Sequence, residues 1–315
     1  LEPGLHALFG LEYKRWEREH AEIFTEETSD RAFEEETLLT GFGAAPTKSE
    51  GSSVEFDTAA EQWTARYVHE TVALAFAITE EAVEDNLYDT LSKRYTSALA
   101  RSMAYTKQVK AANVLNNAFS PSFVGGDGKE LCATDHPTLM AGSQANEPST
   151  AADLSESSLE NAIISIGGFA DDRDIPVAVQ ARKLVIPKDL AFTAQRILKS
   201  DLRVGTADND TNALRSMGML PEGYAVNHYL TDTDAFFILT DMTNTGLKMF
   251  QRRALKTSME PDFETGNIDI AKVIKKITKK TKAIIVVHMA GFSIEIDLIL
   301  RICKKYKLKL IEDCA

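Results

Sequence analysis

Residues 79–119 read TEEAVEDNLYDTLSKRYTSALARSMAYTKQVKAANVLNNAF, and the reading of this stretch decides the fold. It contains neither glycine nor proline, and the next helix breaker is Pro121. Leu87, Leu91, Tyr95, Leu99 and Met103 recur at every fourth position, which draws one apolar stripe along a helix. Thr79 stands before Glu80 and Glu81, so a hydroxyl is available to accept a free backbone N–H and two acids sit at the positive end of the dipole. A helix of about 40 residues rising ~1.5 Å per residue spans on the order of 60 Å. Globular helices average about 11 to 12 residues. The stretch therefore predicts a spine against which other elements lie.

Upstream, the first 40 residues mix glutamates with Trp16, Phe24 and Phe33 without a clean period, as expected of an arm that needs a partner surface. GFGAAPTKSEG, residues 41–51, favours an extended or turning excursion. Val54–Asp57 alternates apolar and polar residues, and Arg66–Leu74 does so less cleanly, predicting the two legs of a long hairpin. Downstream, Gly125–Gly128 marks a turn and residues 141–152 a polar loop of small residues. Leu159, Ala162, Ile163 and Ile166 predict an amphipathic helix capped by Ser157 or Ser158. Lys183–Ile186 reads as a buried strand and Lys188–Lys199 as a helix. Tyr224–Leu230 and Asp234–Thr240 read as strands joined by Thr231–Thr233. Helices and strands do not alternate regularly, which favours an α+β body over a doubly wound sheet.

Composition narrows the function classes. The 315 residues are 44% hydrophobic and 26% charged, within the range of folded globular proteins. No run approaches the roughly 20 apolar residues of a membrane span, so no membrane partner is expected. The start Leu1–Gly4 has no basic end leading into an apolar run, and with Leu first and Ala315 last both ends read as cut from longer frames. Cys132, Cys303 and Cys314 are too scattered for a disulfide framework or a zinc site, which suggests a reducing compartment. Charge is uneven. Of 35 Lys+Arg and 47 Asp+Glu, residues 268–315 hold 11 and 5, leaving 24 and 42 before them: net +6 against net −18. The acidic body argues against a surface that grips phosphates, and the lysines of the basic tail, spaced among Val273, Ile274 and Ile277, read as a solvated helix face.

The body offers no convincing catalytic grouping. Cys132 and His136 share one loop before Pro137, whereas catalytic thiol and imidazole usually meet through the fold, so a turn is expected there. His69 and His228 sit within strand-like stretches as packed or surface histidines. Gly125–Gly128 lacks the flanking strand and helix of a phosphate loop. Asp171–Asp172–Arg173–Asp174 lacks the glycine and closing glutamate of a calcium loop and reads as a solvated helix end.

An arm, a glycine-containing loop, a spine helix and an α+β remainder, in that order, resemble the major capsid proteins of tailed bacteriophages, the Hong Kong 97-like fold. The segments RAFEEETLLTGFGAAPTKSEG, ARYVHETVALAFAITEEAVEDNLY, ALARSMAYTKQVKAANVLNNAF and SDLRVGTADNDTNALRSMGMLPEGYAVNHYLTDTDAFFILTD carry the similarity, which runs from about Gly4 to Asn267. The resemblance implies an arm over residues 1–32, an extended loop over Phe33–Val72 that reaches over a neighbouring subunit, a peripheral-domain spine over Thr79–Phe119 and an axial domain over about 157–250. It implies a structural protein of the virion, not an enzyme. Copies of it, in hexamers and pentamers, would assemble in the bacterial host cytoplasm into an icosahedral head enclosing phage or prophage DNA without sequence-specific binding. After Phe263–Asn267 the family continues into a strand returning to the peripheral domain, and here the sequence changes.

Residues 268–315 read as helix, strand, helix, strand: a basic helix over Ile270–Ile277 capped by Asp269, a buried strand over Ala283–Val287, an amphipathic helix over Ile294–Tyr306 and a second buried strand over Leu308–Ile311. TKAIIVVHMAG, from Thr281, and LIEDCA, from Leu310, resemble sugar aminotransferases of the DegT/StrS type, which use pyridoxal phosphate. In that family the aspartate of the Glu-Asp pair holds the cofactor's pyridine nitrogen, a role the resemblance gives to Asp313. The Schiff-base lysine is expected beyond Ala315 and the phosphate site before the match, so no cofactor is expected to bind. The alternative function, a pyridoxal-phosphate-dependent sugar aminotransferase, is represented by a fragment only, and the break near Asn267 reads as a chimera of two unrelated coding sequences.

Overall fold

A computed structural model describes residues 2–76, 88–139, 142–203, 210–241, 246–257, 270–278, 281–287 and 296–313. Two compact units divide the chain: residues 10–74 with 100–254, and residues 1–9 with 75–99 and 255–315. In chain order the elements are α1 (Glu2–Arg15), β1 (Thr25–Thr28), β2 (Phe33–Leu39), β3 (Glu61–Val68), α2 (Tyr88–Asn116), β4 (His136–Pro137), β5 (Ser143–Gln144), α3 (Glu156–Gly167), β6 (Ala181–Pro187), α4 (Ala191–Lys199), α5 (Ala213–Ser216), β7 (Tyr224–Asn227), β8 (Phe237–Thr240), β9 (Lys248–Gln251), α6 (Ile270–Lys276), β10 (Ala283–Val287), α7 (Ile296–Tyr306) and β11 (Lys309–Asp313). The mixture is α+β, as expected.

In the larger unit the core is organised by β6, whose Leu184, Val185 and Ile186 are fully buried. It pairs parallel with β7 and antiparallel with β8. Leu184 and Ile186 join Leu159, Ile163 and Ile166 of α3 and Ala194, Ile197 and Leu198 of α4 in one cluster. Val185, pointing to the other face, joins Ile23, Phe24, Ala111 and Leu115 in a second. The two strands joined by Thr231–Thr233 flank β6 and do not pair with each other. Both strands are also shorter than expected. Beyond Asn227 the backbone N–H groups of His228 and Tyr229 donate to the side chains of Glu19 and Asn227, at 2.8 and 2.9 Å, which removes them from any ladder. The cap of α3 is likewise corrected to Ser155, whose hydroxyl accepts from the Ser158 N–H while Ser158 Oγ accepts from the Ser155 N–H.

The spine helix is described from Tyr88 to Asn116, 29 residues or about 43 Å; Thr79, Glu80, Glu81 and Leu87 lie outside the described residues. Its end moves back from Phe119 because Asn116 turns its amide to the loop after β7, accepting from Thr231 N–H at 2.9 Å and donating to Tyr229 O at 3.2 Å. Its buried face is not the predicted stripe. Ser92, Thr96, Ala100, Ala104, Gln108, Ala111 and Leu115 are buried, one position beyond the larger residues, while Tyr95 is exposed. Small side chains let neighbouring backbone come close. Gln108 shows the effect: it accepts from His20 N–H at 3.0 Å and donates to Glu17 O at 2.8 Å.

The arm finds its partner within its own chain. Residues 2–15 are helical, and β1 pairs parallel with β9, Thr25 opposite Lys248 and Thr28 opposite Gln251. Glu26 ties it to the spine: its carboxylate takes Arg18, Lys107 Nζ at 2.8 Å and His20 Nε2 at 2.9 Å.

In the smaller unit β10 and β11 pair parallel, Ala283 opposite Lys309 through Val287 opposite Asp313. Val286, Ile299 and Cys303 are buried together against Ile284, Leu308 and Leu310. The expectation that both strands are buried on both faces is corrected: the paired residues Ile285 and Ile311 are 62% and 49% exposed. Among the described residues α7 alone covers the sheet, and a parallel sheet ordinarily carries layers on both faces. The residues Phe263–Asn267, the cap Asp269, His288–Gly291 and Cys314 lie outside the described residues.

The Glu26 cluster gives a pH dependence. The Arg18 guanidinium first, then Lys107 and His20, hold this carboxyl at about 2, down from 4.5, against the effect of burial. A depressed folded-state value stabilises above the unfolded value and is lost as pH falls from 4.5 toward 2. We expect Glu26→Gln to lower stability at pH 6 by ~1–2 kcal/mol, allowing for screening of a partly exposed group, and to flatten the fall of the melting temperature across that window. Parallel melting curves of the two proteins would contradict this role.

Candidate assembly surface

The expected extended loop begins as a hairpin of β2 and β3, antiparallel from Phe33 opposite Val68 to Leu39 opposite Glu61, with an irregularity between Thr37 and Leu39. Thr37 and Thr64 share a hydroxyl hydrogen bond at 2.9 Å, and Arg66 Nε donates to Glu35 at 2.7 Å while lying 4.4 Å over the Phe33 ring. Buried Thr40 closes the ladder, its N–H donating to Ala60 O at 2.9 Å and its hydroxyl oxygen accepting from Ala60 N–H at 2.8 Å. Val54–Asp57, expected as a strand leg, is irregular, and the leg is β2 instead. Alternation alone does not make a strand where no second segment stands opposite to take its hydrogen bonds.

The base of this hairpin is fixed to the body. Gly126, in the predicted turn, approaches β3 so closely that a Cβ there would lie 3.1 Å from Ala65 N. Lys248 of β9 reaches Glu36, and the Phe250 ring lies tilted against Tyr67 with centroids 5.6 Å apart. Ser29 Oγ donates to Glu34 at 2.6 Å and meets His69 Nε2 at 3.0 Å, so His69 is part of this anchoring. The far end is different. Leu39, Phe42, Val54 and Phe56 are 65%, 63%, 64% and 97% exposed. These large apolar groups stand exposed to water on the loop.

The residues weighed for catalysis fall elsewhere. Burial pushes the Cys132 thiol up to about 12, so it is not a nucleophile at neutral pH. His136 turns Nδ1 to Asp127 Oδ2 at 2.7 Å, and the turn expected before Pro137 is corrected, since His136 and Pro137 form β4 against β5. His228 Nδ1 lies 2.8 Å from Glu19. Gly125–Gly128 is a tight turn closed by the Val124–Glu130 bridge, with Gly128 at φ 80. Asp171–Asp174 is corrected from a helix end to a turn beyond it: α3 ends at Gly167, and Asp171 Oδ1 accepts from the N–H groups of Arg173 and Ile175 at 2.8 and 2.9 Å. No group of three or more metal-ligating side chains lies together among the described residues. None of the described helices is long and apolar enough to cross a membrane. Asp313 closes β11, opposite Val287, on a sheet with one open face.

Comparison with known proteins finds two kinds of likeness in the chain. The capsid of bacteriophage JBD30 superposes with a TM-score of 0.51 at 12% identity, covering 67% of this chain and 90% of that one. The chain thus carries a phage capsid fold. The DegT/DnrJ/EryC1/StrS aminotransferase family matches residues 234–315, beginning upstream of Asn267 and taking in β8 and β9. The dTDP-3-amino-3,6-dideoxy-alpha-D-galactopyranose transaminase of Aneurinibacillus thermoaerophilus is 56% identical over 57 residues, 18% of this chain and 16% of that protein. A putative L-glutamine:3-amino-2,3-dideoxy-scyllo-inosose aminotransferase of Micromonospora echinospora is 48% identical over 48 residues, 15% and 12% of the two chains. The chain therefore spans less than a fifth of these relatives.

With Cys303 and Cys314 replaced by serine, we expect Cys132 to resist an aromatic disulfide reagent at pH 8 while folded and to react on unfolding. Rapid labelling of the native thiol would show an activation that its burial does not provide.

Proposed function

We propose that residues 1–267 are a subunit of the icosahedral head of a tailed phage or prophage, and that residues 268–315 are a piece of a sugar aminotransferase joined to it. The likeness to the JBD30 capsid, spanning 90% of that chain, carries the first half of the reading. The hairpin supplies the means: its base is fixed to the body, and its apolar tip gains ~1.5–3 kcal/mol for each large side chain covered by a neighbouring copy. Hexamers and pentamers of such subunits close a shell. A body of net charge −18 does not grip the DNA it encloses, which suits a container that must release its contents. The location is the virion, with assembly in the host cytoplasm.

The second half rests on 56% identity over 57 residues to a transaminase of which the chain spans 16%. We place the break between Asn267 and Ile268, where the charge balance reverses, and read it as a junction of two coding sequences. The aminotransferase activity itself is the lesser reading, since the chain spans only 16% of that transaminase. Single-molecule reads of the source DNA crossing codon 267 would overturn the chimera. Added pyridoxal phosphate should give no visible absorbance band that borohydride fixes to a lysine.

Expressed with a family-type strand after Asn267, residues 1–267 should yield closed shells by electron microscopy. Phe56→Asp should leave the melting temperature within about 1 °C, because an exposed substitution changes stability by roughly 0.5 kcal/mol or less. It should nevertheless leave subunits unassembled. Soluble monomers from both proteins under all conditions would count against the head-subunit reading.

A further inference from the structure

The loop beyond Thr40 is tied back to the body by Arg173. Arg173 NH1 lies 3.2 and 3.3 Å from the two Asp57 carboxylate oxygens, and NH2 donates to Thr58 O at 2.7 Å. The same carboxylate accepts from Gly43 N–H at 2.7 Å on the outgoing leg and from Thr58 N–H at 2.8 Å on the returning one. One guanidinium thus gathers both legs, 116 residues away from it in sequence at Asp57. The arginine is the less exposed partner, its side chain 12% accessible against 44% for Asp57. Its Nε is buried without a hydrogen-bond partner, so the guanidinium is committed to the loop despite a donor left unsatisfied. The turn that aims it is specialised as well: Asp171 Oδ1 holds the backbone at Arg173 and Ile175, and Asp174 takes φ 64, a conformation that residues other than glycine seldom adopt.

We propose that Arg173 is a positioning residue that sets where the projecting loop leaves the body, and with it the angle at which Phe42 and Phe56 meet a second copy of this chain. The second clause rests on the head-subunit reading. A lysine offers a point charge on a flexible stem, whereas the planar fork of arginine takes the carboxylate and the neighbouring carbonyl in one fixed geometry. An acidic turn that served only to cross the surface would have no need of it.

Amide hydrogen exchange on the full chain tests the clamp without any assembly. Arg173→Gln should speed exchange at Gly43 and Thr58 by roughly tenfold or more, with Leu159–Ile166 and Leu184–Ile186 unchanged, as local opening requires. Arg173→Lys should fall between, and Asp57→Asn, which leaves the turn untouched, should reproduce the effect from the other side. Unchanged loop exchange in both Arg173→Gln and Asp57→Asn overturns the clamp, and equal loosening of β6 reduces Arg173 to a structural residue. The angle is tested on shells of residues 1–267 with the closing strand: the Gln variant should broaden the distribution of shell diameters. Diameters as uniform as those of the unsubstituted protein, with a loosened loop, would overturn the link to assembly. Should the unsubstituted protein form no shells while the exchange difference persists, the clamp stands and the head-subunit reading fails.

Discussion

Three consecutive residues, Leu184, Val185 and Ile186, hold the larger unit together, because a strand buried on both faces cannot belong to one layer alone. With both edges of β6 taken by β7 and β8, its backbone groups are satisfied and its side chains are free to serve two cores. Leu184 and Ile186 gather α3, α4 and α5, and Val185 gathers the arm and the spine. The base of the hairpin is fixed within the same unit through Gly126, Lys248 and Phe250.

What was legible in the chain divides along physical lines. The apolar run Lys183–Ile186 and the breaker-free stretch before Pro121 announce a buried strand and a spine because local period and propensity decide both. The face by which the spine is buried was not legible. Hydrophobicity favours Leu91, Tyr95, Leu99 and Met103, but close approach selects the small residues beside them, and nothing local reports how near another backbone will come. Strand partners were equally hidden. The segment between Tyr224 and Thr240 invites a hairpin, yet the fully apolar β6 takes both strands as neighbours.

The surface was read for its role in outline and missed in its attachments. Glycines 41, 43 and 51 mark an excursion, and the exposed Phe56 could be placed on it, but Arg173 carries no local signal of its purpose. Three acids around one base look like a solvated run until folding brings Asp57 to them. The tail posed the opposite problem. Its βαβ pattern was plain, but that both faces of its sheet would not be covered is a matter of what else is folded against it, and the open pair Ile285 and Ile311 shows how much of an α/β layer such a segment borrows from its surroundings.

The parallel pairing of β1 with β9 has a consequence in time. Thr25–Thr28 leave the ribosome well before their partners Lys248–Gln251, with most of the larger unit made between them. Until then Ile23 and Phe24 have no finished core to enter, and β1 presents an open edge. Contacts of such sequence separation form slowly because a long loop must close before they are gained. Nascent chains therefore carry β1 unpartnered until β9 is made, a window in which meeting another nascent chain competes with the pairing of β1 to β9.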